Sequence, residues 1–243
     1  MALAGVGPGS RVLEIGAGLG SLTVALAASG ASVVAVELDR GLVPALSEAV
    51  GPLAGRVRIE AVDALRADWD AMLEGPGPWD VVANLPYNVA VPVVMGLLDH
   101  EPRVERFLVM VQREVGERLA AGPGHEQYGA VSIRVAYRAR AEVVRRVPPS
   151  VFWPRPKVDS VLVRLERQPP PVEVDEGDLW RVIEVAFAQR RKTMRNALIR
   201  LGFGPDAAAE ALAGCGIAPQ ARPEELGLEA FACLARRLPG TRP

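Results

Sequence analysis

The run Arg11-Val12-Leu13-Glu14-Ile15-Gly16-Ala17-Gly18-Leu19-Gly20 decides the fold. Arg11–Ile15 is short and rich in aliphatic residues, and reads as a buried strand; Leu22–Ala28, beyond the glycines, reads as a helix. The Gly-x-Gly-x-Gly turn between them carries almost no side-chain bulk, so a ligand can come close to the backbone. Taken alone the turn also suits a bare strand–helix junction or a nicotinamide dehydrogenase. Glu14, just ahead of it, suits a cationic amino-acid tail rather than a pyrophosphate.

Outward from this unit the same alternation continues. Strands are expected at Val33–Val36, Val57–Ala61, Val81–Ala83 and Phe107–Val111, with helices at Leu42–Val50 and Val91–Leu98. That order is the pattern of a parallel sheet covered by helices. Two later β-like runs, Val131–Tyr137 and Val158–Leu165, flank a proline-rich segment and are expected to form an antiparallel edge. Pro169-Pro170-Pro171 then reads as a linker. Beyond it the apolar spacing is helical: Leu179, Val182, Ile183, Ala186 and Phe187 first, then Met194, Ala197, Leu198 and Leu201, then Leu228, Phe231, Ala235 and Leu238. The expected class is α/β, a Rossmann-like sheet over residues 1–168 with a small C-terminal helical domain over 172–243.

Acidic and amide residues fall at the carboxyl ends of successive strands, where open α/β sheets bind ligands. Glu37 lies about twenty residues past the glycines, where a carboxylate accepts hydrogen bonds from both ribose hydroxyls of an adenosine-containing cofactor. Asp63 can accept from an adenine amine, although its commoner role is a turn or helix cap. Asn84-Leu85-Pro86-Tyr87 follows the fourth strand. An adenine amine is a poor nucleophile because its lone pair is delocalised into the ring. The Asn84 oxygen and a neighbouring backbone carbonyl could accept both N–H hydrogens and aim that lone pair at an electrophilic methyl. Proline stiffens the turn, and Tyr87 offers a face for a base.

At this point the chain resembles the ribosomal RNA adenine N6-dimethyltransferases, over nearly its whole length. The resemblance rests on Leu13–Gly20 and Asn84–Tyr87, on Val151-Phe152-Trp153-Pro154-Arg155-Pro156-Lys157-Val158-Asp159-Ser160, and on Gln189-Arg190-Arg191-Lys192-Thr193-Met194-Arg195-Asn196-Ala197-Leu198. The last segment points to the small-subunit branch. The resemblance implies a class I methyltransferase fold and S-adenosylmethionine as methyl donor, held by Gly16, Gly18, Glu37, Asp63 and Asn84. It implies that Asn84, Pro86 and Tyr87 hold the target amine, and that Phe152 stacks on the other face of a base flipped into the pocket. It implies two adjacent adenosines in a hairpin near the 3′ end of small-subunit rRNA as substrate, each taking two methyl groups, and a role in small-subunit biogenesis. Relatives carry a Gln-Asn-Phe-Leu motif before the first strand. Here that strand begins about ten residues from Met1 without it, so weaker cofactor binding is expected.

Between Ala186 and Pro205 five basic residues stand without an acidic one. From their place in that motif, Arg190, Arg191, Lys192 and Arg195 are expected to contact phosphates, part of the cluster serving alternatively to anchor the helical domain to the catalytic one; Arg191 and Arg195 share a helical face. Arg134, Arg138, Arg140, Arg145 and Arg146 form a second group that serves equally well as a solvated face. Net charge is only −1, so any nucleic-acid site depends on such local clusters. The two cysteines and two histidines have no metal-ligand spacing. Cys215 and Cys233 are therefore expected as small buried residues, and no metal is expected. No apolar run is long enough for a membrane span, and the N-terminus lacks signal-peptide character, so a cytoplasmic monomer working on rRNA or the assembling small subunit is expected. Two other readings share these motifs: a non-catalytic assembly factor that binds RNA, and a large-subunit adenine methyltransferase conferring macrolide resistance.

Overall fold

A computed structural model describes residues 2–153, 155–189 and 192–238. The chain divides into two compact units, Met1–Glu117 with Ala139–Arg167, and Arg118–Arg138 with Gln168–Pro243.

The first unit is a seven-stranded sheet in the order β3-β2-β1-β4-β5-β7-β6. Its parallel strands are β1 (Arg11–Ile15), β2 (Ser32–Val36), β3 (Val57–Glu60), β4 (Trp79–Asn84) and β5 (Val104–Gln112). β6 (Ala139–Val147) and β7 (Ser160–Arg167) complete the sheet, β7 antiparallel to both its neighbours. Helices α1 (Ser21–Ala28), α2 (Val43–Val50), α3 (Trp69–Met72), α4 (Ala90–His100) and α5 (Arg113–Ala120) lie between strands, although α5 runs past the unit boundary at its end. The central strands read as aliphatic runs because both faces are covered: Val12, Leu13, Val81 and Phe107 are almost fully buried. Burying each such side chain contributes about 1.5–3 kcal/mol. Since β1 to β5 are parallel, their carboxyl ends share one edge, and the loops after β1, β2, β3 and β4 carry the residues singled out above.

The second unit is helical: α6 (Ala130–Arg138), α7 (Glu176–Phe187), α8 (Met194–Arg200), α9 (Pro205–Gly214) and α10 (Leu228–Ala235). Asp175 caps α7 by accepting from the Asp178 backbone N–H at 2.9 Å. The stripes expected from spacing pack together here, with Leu179, Val182, Met194, Leu198 and Phe231 in one core.

Three expectations change. Val131–Tyr137 is helical, within α6. Its valines and isoleucine favour a strand locally, but Ile133 and Tyr137, one turn apart, enter the helical core together. The antiparallel edge is therefore β7 with β6, and β6 is the arginine-rich stretch after α6. Cys215 and Cys233 are each half-buried and are joined in a disulfide, with Cα atoms 5.8 Å apart. Isolation in sequence concealed this pairing, because α9 and α10 bring the two together only in the folded unit. The helical unit also draws on Arg118–Arg138, ahead of the proline linker. No described helix is long and apolar enough to cross a membrane.

Candidate functional site

The turn after β1 is held by its neighbour strand: the Gly16 and Ala17 amides donate to the Val36 carbonyl at 2.8 and 3.2 Å. Gly16 has φ +76°, and a Cβ there would stand 3.3 Å from Pro86 Cδ and 3.5 Å from the Asn84 carbonyl oxygen. The glycine is thus required both by its backbone conformation and by the close approach of the Asn84–Pro86 turn. Gly18, with φ +57°, faces open space. Its amide donates to Glu37 Oε2 at 2.7 Å, while Glu37 Oε1 accepts from the Asp39 amide at 2.8 Å. Glu37 is only 8% exposed, so it is a fixed part of the loop rather than a solvated strand-end charge. A carboxylate has about four lone-pair sites, so two bonds leave acceptor capacity for a ligand.

Glu14 completes this corner and is 1% exposed. Burial pushes its carboxyl up to about 7; the Thr23 hydroxyl of α1 opposes the rise and the charge of Glu37 adds to it. The Thr23 hydroxyl is near enough to favour the charged carboxyl, but its contact with Glu14 falls short of a well-formed hydrogen bond, and Glu14 Oε2 has no other partner. A buried carboxylate oxygen without a partner costs about 1–3 kcal/mol or more, and it marks a place where a donor, above all a cationic one, would be stabilised.

β4 is buried along its length except at its last residue, Asn84. The turn after it is fixed by the Leu85 amide donating to Met110 at 3.1 Å and by the Val89 amide donating to Pro86 at 3.1 Å. Tyr87 is held by a 3.1 Å hydrogen bond between its hydroxyl and that of Ser160, which is fully buried at the start of β7. Asn84, Leu85, Pro86 and Tyr87 line one cavity of about 280 Å³ with Phe152, Trp153 and Pro156. The four residues expected around a target base, Asn84, Pro86, Tyr87 and Phe152, therefore come together.

Asp63 stands apart from that cavity. Its Oδ1 accepts from the Leu65 amide at 2.9 Å, forming a local turn, and it lines a different cavity of about 500 Å³ with Leu38, Glu60 and Arg66. Its turn-forming role is present, and the cavity leaves room for a ligand beside it. Of the expected phosphate contacts, Lys192 is exposed just before α8 and Arg195 is exposed on it. Arg190 and Arg191, like Pro154 of the proline-rich motif, lie outside the described residues. The second arginine group is split between units. In the helical unit Arg138 pairs with Glu176, and Arg134 lies 5.2 Å over the Trp180 ring; Arg140, Arg145 and Arg146 are exposed on β6.

Sequence reasoning missed Ser160 as the anchor of Tyr87 and Thr23 as the neighbour of Glu14. Ser160 was in view as the end of the proline-rich motif, but its partner lies 73 residues away.

The model of the family described as ribosomal RNA adenine dimethylase matches residues 2–238. The chain belongs to that family. It is 48% identical to ribosomal RNA small subunit methyltransferase A of Moorella thermoacetica, over 96% of this chain and 84% of that protein. With the protein of the same name from Thermobifida fusca it shares 46% identity, over 96% and 82%. Among solved structures it is similar to a dimethyladenosine transferase from Plasmodium falciparum, with TM-score 0.79, 23% identity and 95% and 90% of the two chains covered. It is also similar to the 23S rRNA methyltransferase ErmE, with TM-score 0.74, 25% identity and 98% and 94% covered. Within this family, the glycine turn and the Asn84–Tyr87 turn of the present chain are packed directly on each other.

Proposed function

We propose that this chain transfers methyl groups from S-adenosylmethionine to the N6 amines of two adjacent adenosines in small-subunit rRNA, two to each. The observation that carries the reading is the contact between the two turns: Asn84, the exposed end of β4, lies against Gly16 and opens into the cavity shared with Tyr87 and Phe152. The cofactor fits the residues present. Glu14 Oε2 is a buried acceptor that a cationic group would satisfy, Gly18 leaves space beside the backbone, and Glu37 keeps acceptor sites for ribose hydroxyls. Asp63 would accept from the adenine amine.

When bound, S-adenosylmethionine supplies a methyl group made electrophilic by its sulfonium. The chain supplies position. In the first transfer the Asn84 side-chain oxygen and a carbonyl of the same turn accept the two N6 hydrogens, and in the second one of them accepts the single hydrogen that remains, which localises the nitrogen lone pair and points it toward the cofactor corner. Tyr87 and Phe152 hold the ring of a base taken out of its stack. No strong base is needed, since the methylated amine carries a positive charge and releases its proton readily. Lys192 and Arg195, with Arg190 and Arg191, contact RNA phosphates. The setting is the cytoplasm and the assembling small subunit, with the protein acting as a monomer. The relatives that share 46–48% identity are named for the small subunit, which favours that target over the large one.

The test is Asn84→Ala, assayed on small subunits that lack the modification. Turnover should fall roughly 10²–10³-fold, the usual loss for one preorganised polar contact, with RNA binding and melting temperature unchanged. Unchanged turnover would remove Asn84 from this role. If the wild-type chain yields no N6-dimethyladenosine, the enzymatic reading itself fails, and retained RNA binding would then favour an assembly factor.

A further inference from the structure

Resting on the methyltransferase reading, the strongest remaining signal lies beside the target cavity. Trp153 is 97% exposed, the most exposed of the large apolar side chains among the described residues. An indole left wholly in water contributes nothing to a core, and its large, rigid face is free to meet another ring. Here it follows Phe152 directly and lines the same cavity as Asn84 and Tyr87. Arg155 and Lys157 stand exposed on the same loop, and neither enters an ion pair among the described residues. An aromatic face interleaved with cations is the composition of a surface for single-stranded nucleic acid, in which the bases stack and the phosphates are neutralised. Tyr87 and Phe152 are already committed to the target base, one anchored by Ser160 and the other half-buried.

We infer that Trp153 is a second base-binding subsite, on which the unpaired nucleobase next to the target adenosine stacks while Arg155 and Lys157 hold the phosphates that flank it. The subsite takes any base, because every base has a π face, and it adds affinity and register rather than sequence specificity. It suits a substrate of two neighbouring adenosines: while one is held at Asn84, the next has a platform of its own.

The test compares wild type with Trp153→Ala, Trp153→Leu and Trp153→Phe on unmodified small subunits. Trp153→Ala should raise KM roughly 5- to 150-fold, the range for loss of one base–aromatic stack, with kcat and melting temperature little changed. Trp153→Phe should restore most of the loss. Trp153→Leu, apolar but without a π face, should not. Wild-type KM in Trp153→Ala, or full rescue by leucine, would overturn the inference. Co-sedimentation with the same particles reads the contact without turnover, so failure of the enzymatic reading shows as absent methyl transfer by wild type and is separable from failure of the subsite. A short single-stranded RNA with 2-aminopurine beside an adenosine identifies the occupant. Wild type should quench its emission and Trp153→Ala should not; absence of quenching by wild type overturns the assignment.

Discussion

At the amino edge of the sheet, arginine donors end on protein acceptors. Arg11 donates to the Glu74 carbonyl at 3.1 Å and also to that of Gly77, and Arg58 to Met72 and to Glu74 Oε1. Arg103 donates to Glu101 and to the Leu73 carbonyl at 2.6 Å, and Arg167 closes the carbonyls of Leu97, Leu98, Glu101 and Val104. The carboxyl edge differs. There Glu14 Oε2 is buried without a partner, Glu37 keeps spare lone pairs and Asn84 ends its strand exposed. One edge satisfies its polar groups and closes loops; the other leaves acceptors open, which is tolerable only where a ligand completes them. Two buried nitrogens without a hydrogen bond, Trp79 Nε1 and Arg58 Nε, are exceptions at the amino edge, although Arg58 Nε lies 3.2 Å from the Glu60 carboxylate.

The largest expected effect tests the closed edge. Glu101 is 1% exposed, and the Arg103 guanidinium holds its carboxyl below the usual carboxylate range against the opposing effect of burial. Arg103→Met leaves that charge without its main partner and should cost about 3–5 kcal/mol in urea unfolding. A depressed carboxylate stabilises the fold above its unfolded pKa and loses that contribution as pH falls through the lower folded value, so the wild type should lose part of this margin in acid and the variant should not. Cofactor affinity of the variant that remains folded should be unchanged. A cost below 1 kcal/mol would mean that the arginines of this edge are ornaments of a fold held by its core.

Glu14→Gln probes the open edge and has the opposite sign. A carboxyl raised to about 7 binds its proton more tightly in the native than in the unfolded chain. Wild-type stability therefore falls as pH rises from about 4.5 to 7, and the full cost, about 3 kcal/mol at most, is present above 7. Glutamine removes that charge, so the variant should be more stable than wild type at pH 8 and little different at pH 4. Its affinity for S-adenosylmethionine should drop, since the anion that receives the cationic tail is gone. In wild type the same affinity should rise between pH 5 and 7 as Glu14 ionises. A Glu14→Gln chain that is more stable and still binds the cofactor normally would break the link between unsatisfied groups and function.

Much of the open edge was legible in the residues because its chemistry is compact: the glycine turn, Glu37 and Asn84–Tyr87 each occupy a few consecutive positions at strand ends. The parallel strands were legible because aliphatic runs bounded by turns have few other uses. β6 was not, since an edge strand turns charged side chains outward and its arginines mask the period of two. Val131–Tyr137 misled because its local preference for a strand yields to the core that Ile133 and Tyr137 join. The pairing of Arg138 with Glu176 and the stacking of Arg134 on Trp180 were hidden for a related reason. A run of arginines looks alike whether its partners are phosphates, carboxylates or rings, and only the folded chain tells them apart.

The smallest effect tests whether satisfied bonds also serve the open edge. The hydroxyls of Tyr87 and Ser160 meet at 3.1 Å, with Ser160 fully buried. Tyr87→Phe leaves the Ser160 hydroxyl without a partner and should cost about 1–3 kcal/mol. Ser160→Ala should cost less, because the half-buried tyrosine hydroxyl can turn to water. The double variant should sit near wild type in stability, since both polar groups are gone together. Turnover follows a different rule. If the bond orients the Tyr87 ring against the target base, both single variants and the double variant should lose activity severalfold, regardless of their stabilities. If activity follows stability instead, recovering in the double variant, the bond belongs with the arginines of the amino edge as a device of folding, and the ring is placed by the Pro86 turn alone.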